Sequence, residues 1–159
     1  KNIGSLPIIY GKKEYIILLS KRLIKNKEKF ELTAFEKRYL KIKKEEEKNF
    51  IENKNKQLMK YEIAGRKCGI VFAGNCNKSE LGNVLATNNP DIDLIIIIDT
   101  TKAVSYRTTR DDVECNKFAE LFGGGGHQKA SGSGFTDEMR EEIIKNYFKD
   151  VKRLEDNKN

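Results

Sequence analysis

Phe122-Gly123-Gly124-Gly125-Gly126-His127-Gln128-Lys129-Ala130-Ser131-Gly132-Ser133 is the stretch on which the reading of this chain turns. Four consecutive glycines are costly to order, because glycine loses more backbone freedom on folding than any other residue. A folded chain keeps them where the backbone needs a positive φ or where another group must approach bare main chain. Taken alone, such a run is as readily a flexible linker. Its neighbours argue for an ordered turn: Ala119, Leu121 and Phe122 precede it as a helix end would, and Ala130-Ser131-Gly132-Ser133-Gly134-Phe135 continues it. His127 to Ala130 can begin a new helix. A glycine turn feeding a helix N-terminus is a ready anion site, with N–H groups pointing outward and a favourable dipole. His127, the sole histidine of the chain, stands at the mouth of that turn.

Working outward, the 159 residues suit one domain plus an appendage. The 35% of charged residues against 38% hydrophobic ones predict a modest core. The net charge of +7 is unevenly spread: residues 1–60 carry 17 basic and 8 acidic side chains, residues 61–159 carry 14 and 16. The basic character therefore belongs to the first 60 residues and reads as a solvated, lysine-rich helical segment, with nucleic-acid attraction as the other option. Cys68, Cys76 and Cys115 form no CxxC and no zinc spacing, which predicts reduced thiols and a cytoplasmic protein. The longest apolar run, Leu94 to Ile98, is far too short to span a bilayer. The chain begins at Lys1, which reads as a fragment or a processed product.

The hydrophobic pattern predicts an α/β fold: a small mixed β-sheet covered by helices, preceded by a long helical connector. The connector takes residues 1–60, the α/β domain 61–154 and a frayed tail 155–159. Residues 1–10 read as an irregular lead-in. Residues 12–25 read as a helix whose apolar face holds Tyr15, Ile16, Leu18, Leu19 and Leu23. Residues 30–60 read as a long helix with Leu32, Phe35, Tyr39 and Ile42 at helical spacing and a polar waist at 43–49. Two short strands follow, 61–66 and 68–73, turning about Lys67. Asn77 with Glu80 makes a capping-box-like start for a helix carrying Leu81, Val84 and Leu85. Residues 93–99 form a central strand covered on both faces, residues 103–108 the next strand, 115–122 a helix and 131–135 a short strand. Thr136 caps the last helix, with Met139, Ile143, Tyr147 and Val151 as its buried face and Lys149, Lys152 and Arg153 late in it.

The second polar cluster is Ser105-Tyr106-Arg107-Thr108-Thr109-Arg110. Arginine offers a planar fork suited to phosphate, and threonine hydroxyls add hydrogen bonds. If this strand end meets the glycine turn, together they make a phosphate or nucleotide pocket. On pattern alone it is equally a solvent-exposed strand end, and Arg110 beside Asp111 and Asp112 reads as a surface ion pair. A two-metal site needs several His or carboxylate ligands converging on one cleft. Asp91, Asp93 and Asp99 belong more naturally to a turn, a strand start and a strand end. A nucleophile mechanism through Ser131 or Cys115 has no elbow to present either group. Neither catalytic nor metal residues are assigned to this chain.

The run Ala103-VSYRTTRDDVECNKFAELFGGGGHQKASGSGF-Thr136 resembles the C-terminal signature of the DHH-family phosphoesterases. In that family a strand with a V-S-x-R-S-like motif leads through a helix into GGGGH-x-x-A-G. The resemblance extends back through Asp91-IDLIIIID-Thr100, Ser79-ELGNVL-Ala86 and Gly69-IVFA-Gly74, and so covers about residues 58–136. Residues 1–57 resemble the connector that precedes this domain. The resemblance implies a hydrolase of two domains. An N-terminal DHH domain binds two divalent metals, usually manganese. A C-terminal DHH-associated domain closes over the cleft and holds the substrate's phosphate. It assigns phosphate binding to Arg107, Thr108, Gly123, Gly124, Gly125, Gly126 and His127. Thr108 replaces the family's serine, and the additional Ser133-Gly134 ahead of Phe135 is a second departure. No DHH triplet occurs in the sequence. The chain accordingly reads as the substrate-binding C-terminal part of such an enzyme, which alone binds and does not cut. Its implied partners are an N-terminal catalytic domain and a short oligonucleotide or nucleotide phosphate. The oligoribonuclease branch is the best match, with the RecJ-like exonucleases as relatives. Two alternatives stay open: a non-catalytic RNA-binding module like the glycine-rich end domain of alanyl-tRNA synthetases, and a homodimer built through the helix at 28–60.

Overall fold

The structure is a computed structural model that describes residues 6–25 and 31–148. It divides the chain into two compact units, Lys1–Glu52 and Asn53–Asn159. The first unit holds α1 (Leu6–Tyr10), α2 (Lys12–Lys25) and most of α3 (Ala34–Lys56). Residues 6–10 are helical where an irregular lead-in is predicted, and Gly11, at φ +78°, separates α1 from α2. Of the predicted apolar face of α2, Tyr15 is buried and Leu18 and Leu19 are half-buried, whereas Ile16 is exposed. The side chain of Leu23 lies outside the described residues.

A polar group decides how α2 and α3 meet, and the hydrophobic pattern does not show it. Glu36 is fully buried; Arg22 Nη1 donates to both its oxygens at 2.9 and 2.8 Å. The N–H and hydroxyl of Thr33 donate to Glu36 Oε2, while the Glu36 N–H donates back to the Thr33 hydroxyl. This reciprocal pair is a capping box that starts α3. Burial raises the Glu36 carboxyl, but the hydrogen bonds from Arg22 and Thr33 outweigh it and hold the group below the usual range. Phe35 and Ile42, predicted to line the same helix face, are exposed, and so is the polar waist Lys43–Asn49. Phe30 lies outside the described residues.

The second unit contains a six-stranded mixed sheet of order β1-β2-β3-β4-β6-β5. The strands are β1 (Met59–Ile63), β2 (Arg66–Phe72), β3 (Leu94–Asp99), β4 (Ala103–Arg107), β5 (Gly125–His127) and β6 (Ala130–Gly134). Only β2 and β3 run parallel, joined through α4 (Lys78–Asn88). The β1–β2 turn is Ala64-Gly65, both at positive φ, and not Lys67. A two-residue hairpin loop demands that twist, and glycine supplies half of it. Lys67 instead lies within β2, where its N–H donates to Asp93 Oδ2. The strand β3 sits inside the sheet with almost every side chain buried, as its unbroken apolar run predicts.

The two faces of the sheet have separate covers. One carries the core of Cys68, Leu94, Ile96, Val104 and Tyr106, closed by Val113, Phe135 and α5 (Cys115–Glu120) with its Phe118 and Ala119. On the other face α4 brings Leu81 and Leu85 toward Val71, Ile95 and Ile97, all buried. Asn77 caps α4 by accepting from the Glu80 N–H, and Thr136 caps α6 (Asp137–Tyr147) by accepting from the Met139 N–H. The predicted buried face of α6 is corrected. Met139, Ile143 and Tyr147 are 39%, 50% and 80% exposed, and no residue of α6 is buried. The core closes at Phe135, ahead of the cap, and Arg140 holds the first turn by donating from Nε to the Thr100 carbonyl. Lys149, Val151, Lys152, Arg153 and the predicted tail 155–159 lie outside the described residues.

The decisive correction concerns the glycine run. No helix follows His127; residues 125–127 and 130–134 form a hairpin about Gln128-Lys129. Five ladder pairs bind β6 to β4. The turn itself is tied down where the Cys115 N–H donates to the Gln128 carbonyl and the Thr108 N–H to the Lys129 carbonyl. These tertiary bonds override the local helical preference of His-Gln-Lys-Ala. The glycines instead end α5. The Gly124 N–H donates to the Ala119 carbonyl and the Gly123 N–H to the Glu120 carbonyl, with Gly123 at φ +67°. That pairing is a Schellman cap, and it consumes two of the N–H groups predicted to face an anion.

Candidate functional site

Strand register assembles the site. Arg107 pairs with Ala130, and Ala130 pairs with His127. Directly opposed residues share a face, so Arg107, Ala130 and His127 form one row across β4, β6 and β5. Arg107 and His127 stand two strand spacings apart, roughly 9–10 Å, with only a methyl group between them. The next row on that face is Ser105, Gly132 and Gly125. A shelf with almost no side chains on it therefore lies between two nitrogen-bearing groups. Helix α4 covers β3 and β4 beside the shelf, and Ser79 and Asn83, one turn apart on α4, form its wall. A cleft of about 440 Å³ opens there, lined by Ser79, Asn83, Arg107, Thr108, Thr109, Lys129 and Ala130.

Arg107 is the charged group the fold places most deliberately. Its Nη1 donates to the carbonyls of Tyr106 at 2.8 Å and Ser131 at 3.2 Å. Its Nε is buried without an acceptor, and no carboxylate among the described residues pairs with it. The other cations nearby are committed: Arg110 to Asp93 and Asp112, Lys129 to Asp111. The Arg110–Asp112 contact is the ion pair the sequence predicts, extended to Asp93. His127 is exposed on β5, the edge strand.

Thr108 plays a different part from the one its motif position implies. It is 2% exposed; its hydroxyl donates to the Asp93 carbonyl at 2.8 Å and accepts from the Arg110 N–H at 3.1 Å. Its one hydroxyl proton is thus engaged in holding the strand end. Thr109, next in the chain, is exposed and lines the cleft, as do Ser79 and Asn83. Sequence reading had Thr109 in the polar cluster and missed Ser79 and Asn83. The spacing of Ser79 and Asn83 on a helix with a buried opposite face was the available signal.

The four glycines are not equivalent. A Cβ on Gly124 would fall 2.2 Å from the Gly132 carbonyl oxygen, and one on Gly126, at φ +141°, 2.7 Å from Ser131 Cα. A Cβ on Gly125 would meet nothing within 4 Å. Gly124 and Gly126 are glycine because the hairpin requires it, and Gly123 because the cap of α5 requires its positive φ. Gly125 has no such reason and faces the open shelf.

Asp91, Asp93 and Asp99 are each held by other groups. Asp99 is buried and holds Lys78 Nζ at 2.7 Å and both the N–H and hydroxyl of Thr101, and these bonds hold its carboxyl far below the usual range. Asp91 pairs with Lys60, and Asp93 with Arg110 and the Lys67 N–H. No three His, Cys, Asp or Glu side chains converge among the described residues. The cysteines are unpaired; burial pushes the thiols of Cys68 and Cys115 up to about 11. No described helix is long and apolar enough to cross a membrane.

Comparison with known proteins places the fold in context. No protein-family profile matches the chain. Oligoribonuclease NrnB of Bacillus subtilis (strain 168) is 32% identical over 150 residues, 94% of this chain and 37% of that protein. The chain thus spans well under half the length of the curated relative it matches. Among solved structures, one of a Helicobacter pylori G27 protein aligns with a TM-score of 0.43 and 25% identity, over 58% of this chain and 28% of that one. PggH, a pGpG-specific phosphodiesterase from Vibrio cholerae, aligns with a TM-score of 0.41 and 12% identity, over 65% and 38%. Over nearly its whole length the chain is homologous to the Bacillus oligoribonuclease, which supports its resemblance to the DHH-family phosphoesterases.

Proposed function

We propose that this chain is the substrate-binding part of a metal-dependent DHH-family phosphoesterase, and that it holds the phosphate of a short oligonucleotide or nucleotide in the cleft between α4 and the shelf of β4, β6 and β5. The observation that carries this reading is Arg107. A guanidinium without a carboxylate, anchored through Nη1 by two carbonyls and lining the cleft, is arranged to receive an anion. His127 in the same row offers a further N–H from its imidazole, and Gly125 and Gly132 let the ligand lie close to the main chain. The relation to an oligoribonuclease supports oligonucleotides as the substrate class. Thr108 contributes by fixing the strand end with its hydroxyl, which is not offered to the ligand.

The hydrolytic step belongs to a DHH catalytic domain, an N-terminal partner whose divalent metals, manganese as the resemblance implies, activate water. This chain supplies position and charge. Isothermal titration of the chain with 5′-AMP, a 5′-phosphorylated diribonucleotide and its unphosphorylated counterpart tests the reading. The phosphorylated ligands bind, removal of the phosphate abolishes binding, and Arg107→Ala weakens it at least tenfold. Preference for long RNA, with affinity falling steeply as salt rises, would instead identify an RNA-binding module of the alanyl-tRNA synthetase type.

A further inference from the structure

We propose that Gly82 is a positioning residue for Arg107: the missing side chain admits the stem of the arginine beneath α4 and so sets where its guanidinium reaches the cleft. This rests on the phosphate-cleft reading above. Glycine in a helix interior is less favourable than alanine, yet Gly82 lies in the middle of α4 and is buried. A Cβ there would sit 2.5 Å from Arg107 Cγ, 2.8 Å from Arg107 Cβ and 3.5 Å from Ile97 Cδ1. The first two contacts are with atoms next to the Arg107 backbone. A flexible tip could swing aside, but Cγ moves only if χ1 changes, and Cβ only if the strand shifts or the helix lifts. Either movement takes Nη1 away from the Tyr106 and Ser131 carbonyls that orient it. Ser79 and Asn83, on the same helix, line the cleft that Arg107 enters. The closeness of α4 to β4 at Gly82 therefore sets both the arginine and the wall it faces.

The test uses the full chain with Gly82→Ala, Arg107→Ala and both together. The buried Arg107 Nε–H gives a side-chain NMR resonance that reports its position with no ligand present. In Gly82→Ala this resonance shifts and exchanges faster with solvent, and affinity for a 5′-phosphorylated diribonucleotide falls at least tenfold. In the Arg107→Ala background the same substitution changes affinity less than twofold and lowers the melting temperature less than it does in the parent chain. The proposal is overturned if Gly82→Ala leaves the resonance and the affinity unchanged, or weakens binding equally without Arg107. It is also overturned if Gly82→Ala unfolds the chain equally in both backgrounds, because the clash would then not be with the arginine stem beyond Cβ. Failure of the phosphate reading is separately visible: Arg107→Ala would then leave binding unchanged, while the Nε–H resonance would still report on Gly82.

Discussion

Alanine placed in turn at Gly124, Gly125 and Gly126 should separate what the hairpin needs from what a ligand needs. At Gly124 the new methyl overlaps the Gly132 carbonyl oxygen, at 2.2 Å, by more than 1 Å against an ordinary carbon–oxygen approach of about 3.3 Å. The strand β5 must part from β6, at a cost of about 3 kcal/mol. For a domain of this size that lowers the melting temperature by roughly 12–20 °C. Gly126→Ala meets Ser131 Cα at 2.7 Å in a backbone conformation at φ +141° that alanine rarely adopts, and should lose a similar amount. Gly125→Ala meets nothing within 4 Å at an ordinary φ. It restricts the unfolded chain and should stabilise by about 0.4–1 kcal/mol, a rise of a few degrees. Its methyl occupies the shelf, however, so binding of a 5′-phosphorylated diribonucleotide should weaken at least tenfold, or about 1.4 kcal/mol. Scanning fluorimetry and titration calorimetry on the three variants give both quantities. A Gly125→Ala protein that melts higher and binds as tightly as the parent would refute the claim that the shelf is kept bare for a ligand. An unchanged melting temperature for Gly124→Ala would refute the hairpin register.

Other substitutions and conditions follow from the same geometry. Thr108→Val removes two buried hydrogen bonds and should cost on the order of 1–3 kcal/mol, whereas Thr109→Val should leave stability unchanged and weaken ligand binding; denaturant melts and calorimetry separate the two. Glu36→Gln breaks a buried ion pair and should destabilise the first unit by on the order of 3 kcal/mol, seen as lost helical circular dichroism on heating. Glu36 and Asp99 have folded pKa values below their ordinary ones. Their contribution is therefore present at neutral pH and is lost as pH falls below about 4 toward the folded values. Melting curves from pH 7 down to 3 should show it, with a smaller loss in Lys78→Met. Cys68 and Cys115, with thiols pushed up to about 11, should resist alkylation at pH 8 until the chain is unfolded, with mass spectrometry finding label first on half-buried Cys76.

Much of the α/β unit was legible because its signals are local. The apolar run of β3, the caps at Asn77 and Thr136, and the Arg107 strand all declare themselves within a few residues. Arg107 and His127 were singled out as parts of one pocket, and the strand register sets them in one row. What pattern could not show is decided by long-range pairing. The hairpin after the glycines exists because β6 finds β4, and that ladder carries residues 127–130 out of the helix predicted to begin there. Thr108 has the chemistry of a phosphate ligand, yet the carbonyl of Asp93, fifteen residues away in sequence, takes its proton. Periodicity placed Met139, Ile143 and Tyr147 on one face of α6 without revealing that the core ends at Phe135. It missed Glu36 for the converse reason, since a carboxylate is buried only when specific donors such as Arg22 and Thr33 come to it.

The measurement closest to the central claim is a nitrogen–proton NMR titration of the chain with a 5′-phosphorylated diribonucleotide. The account predicts shifts at Arg107, Thr109, Gly125, His127 and Gly132 and along the Ser79–Asn83 side of α4. It predicts none in the core on the opposite face around Val104 and Phe118, and none up to Glu52. Shifts confined to that opposite face or to the basic first unit, or none with any phosphorylated ligand, would contradict it.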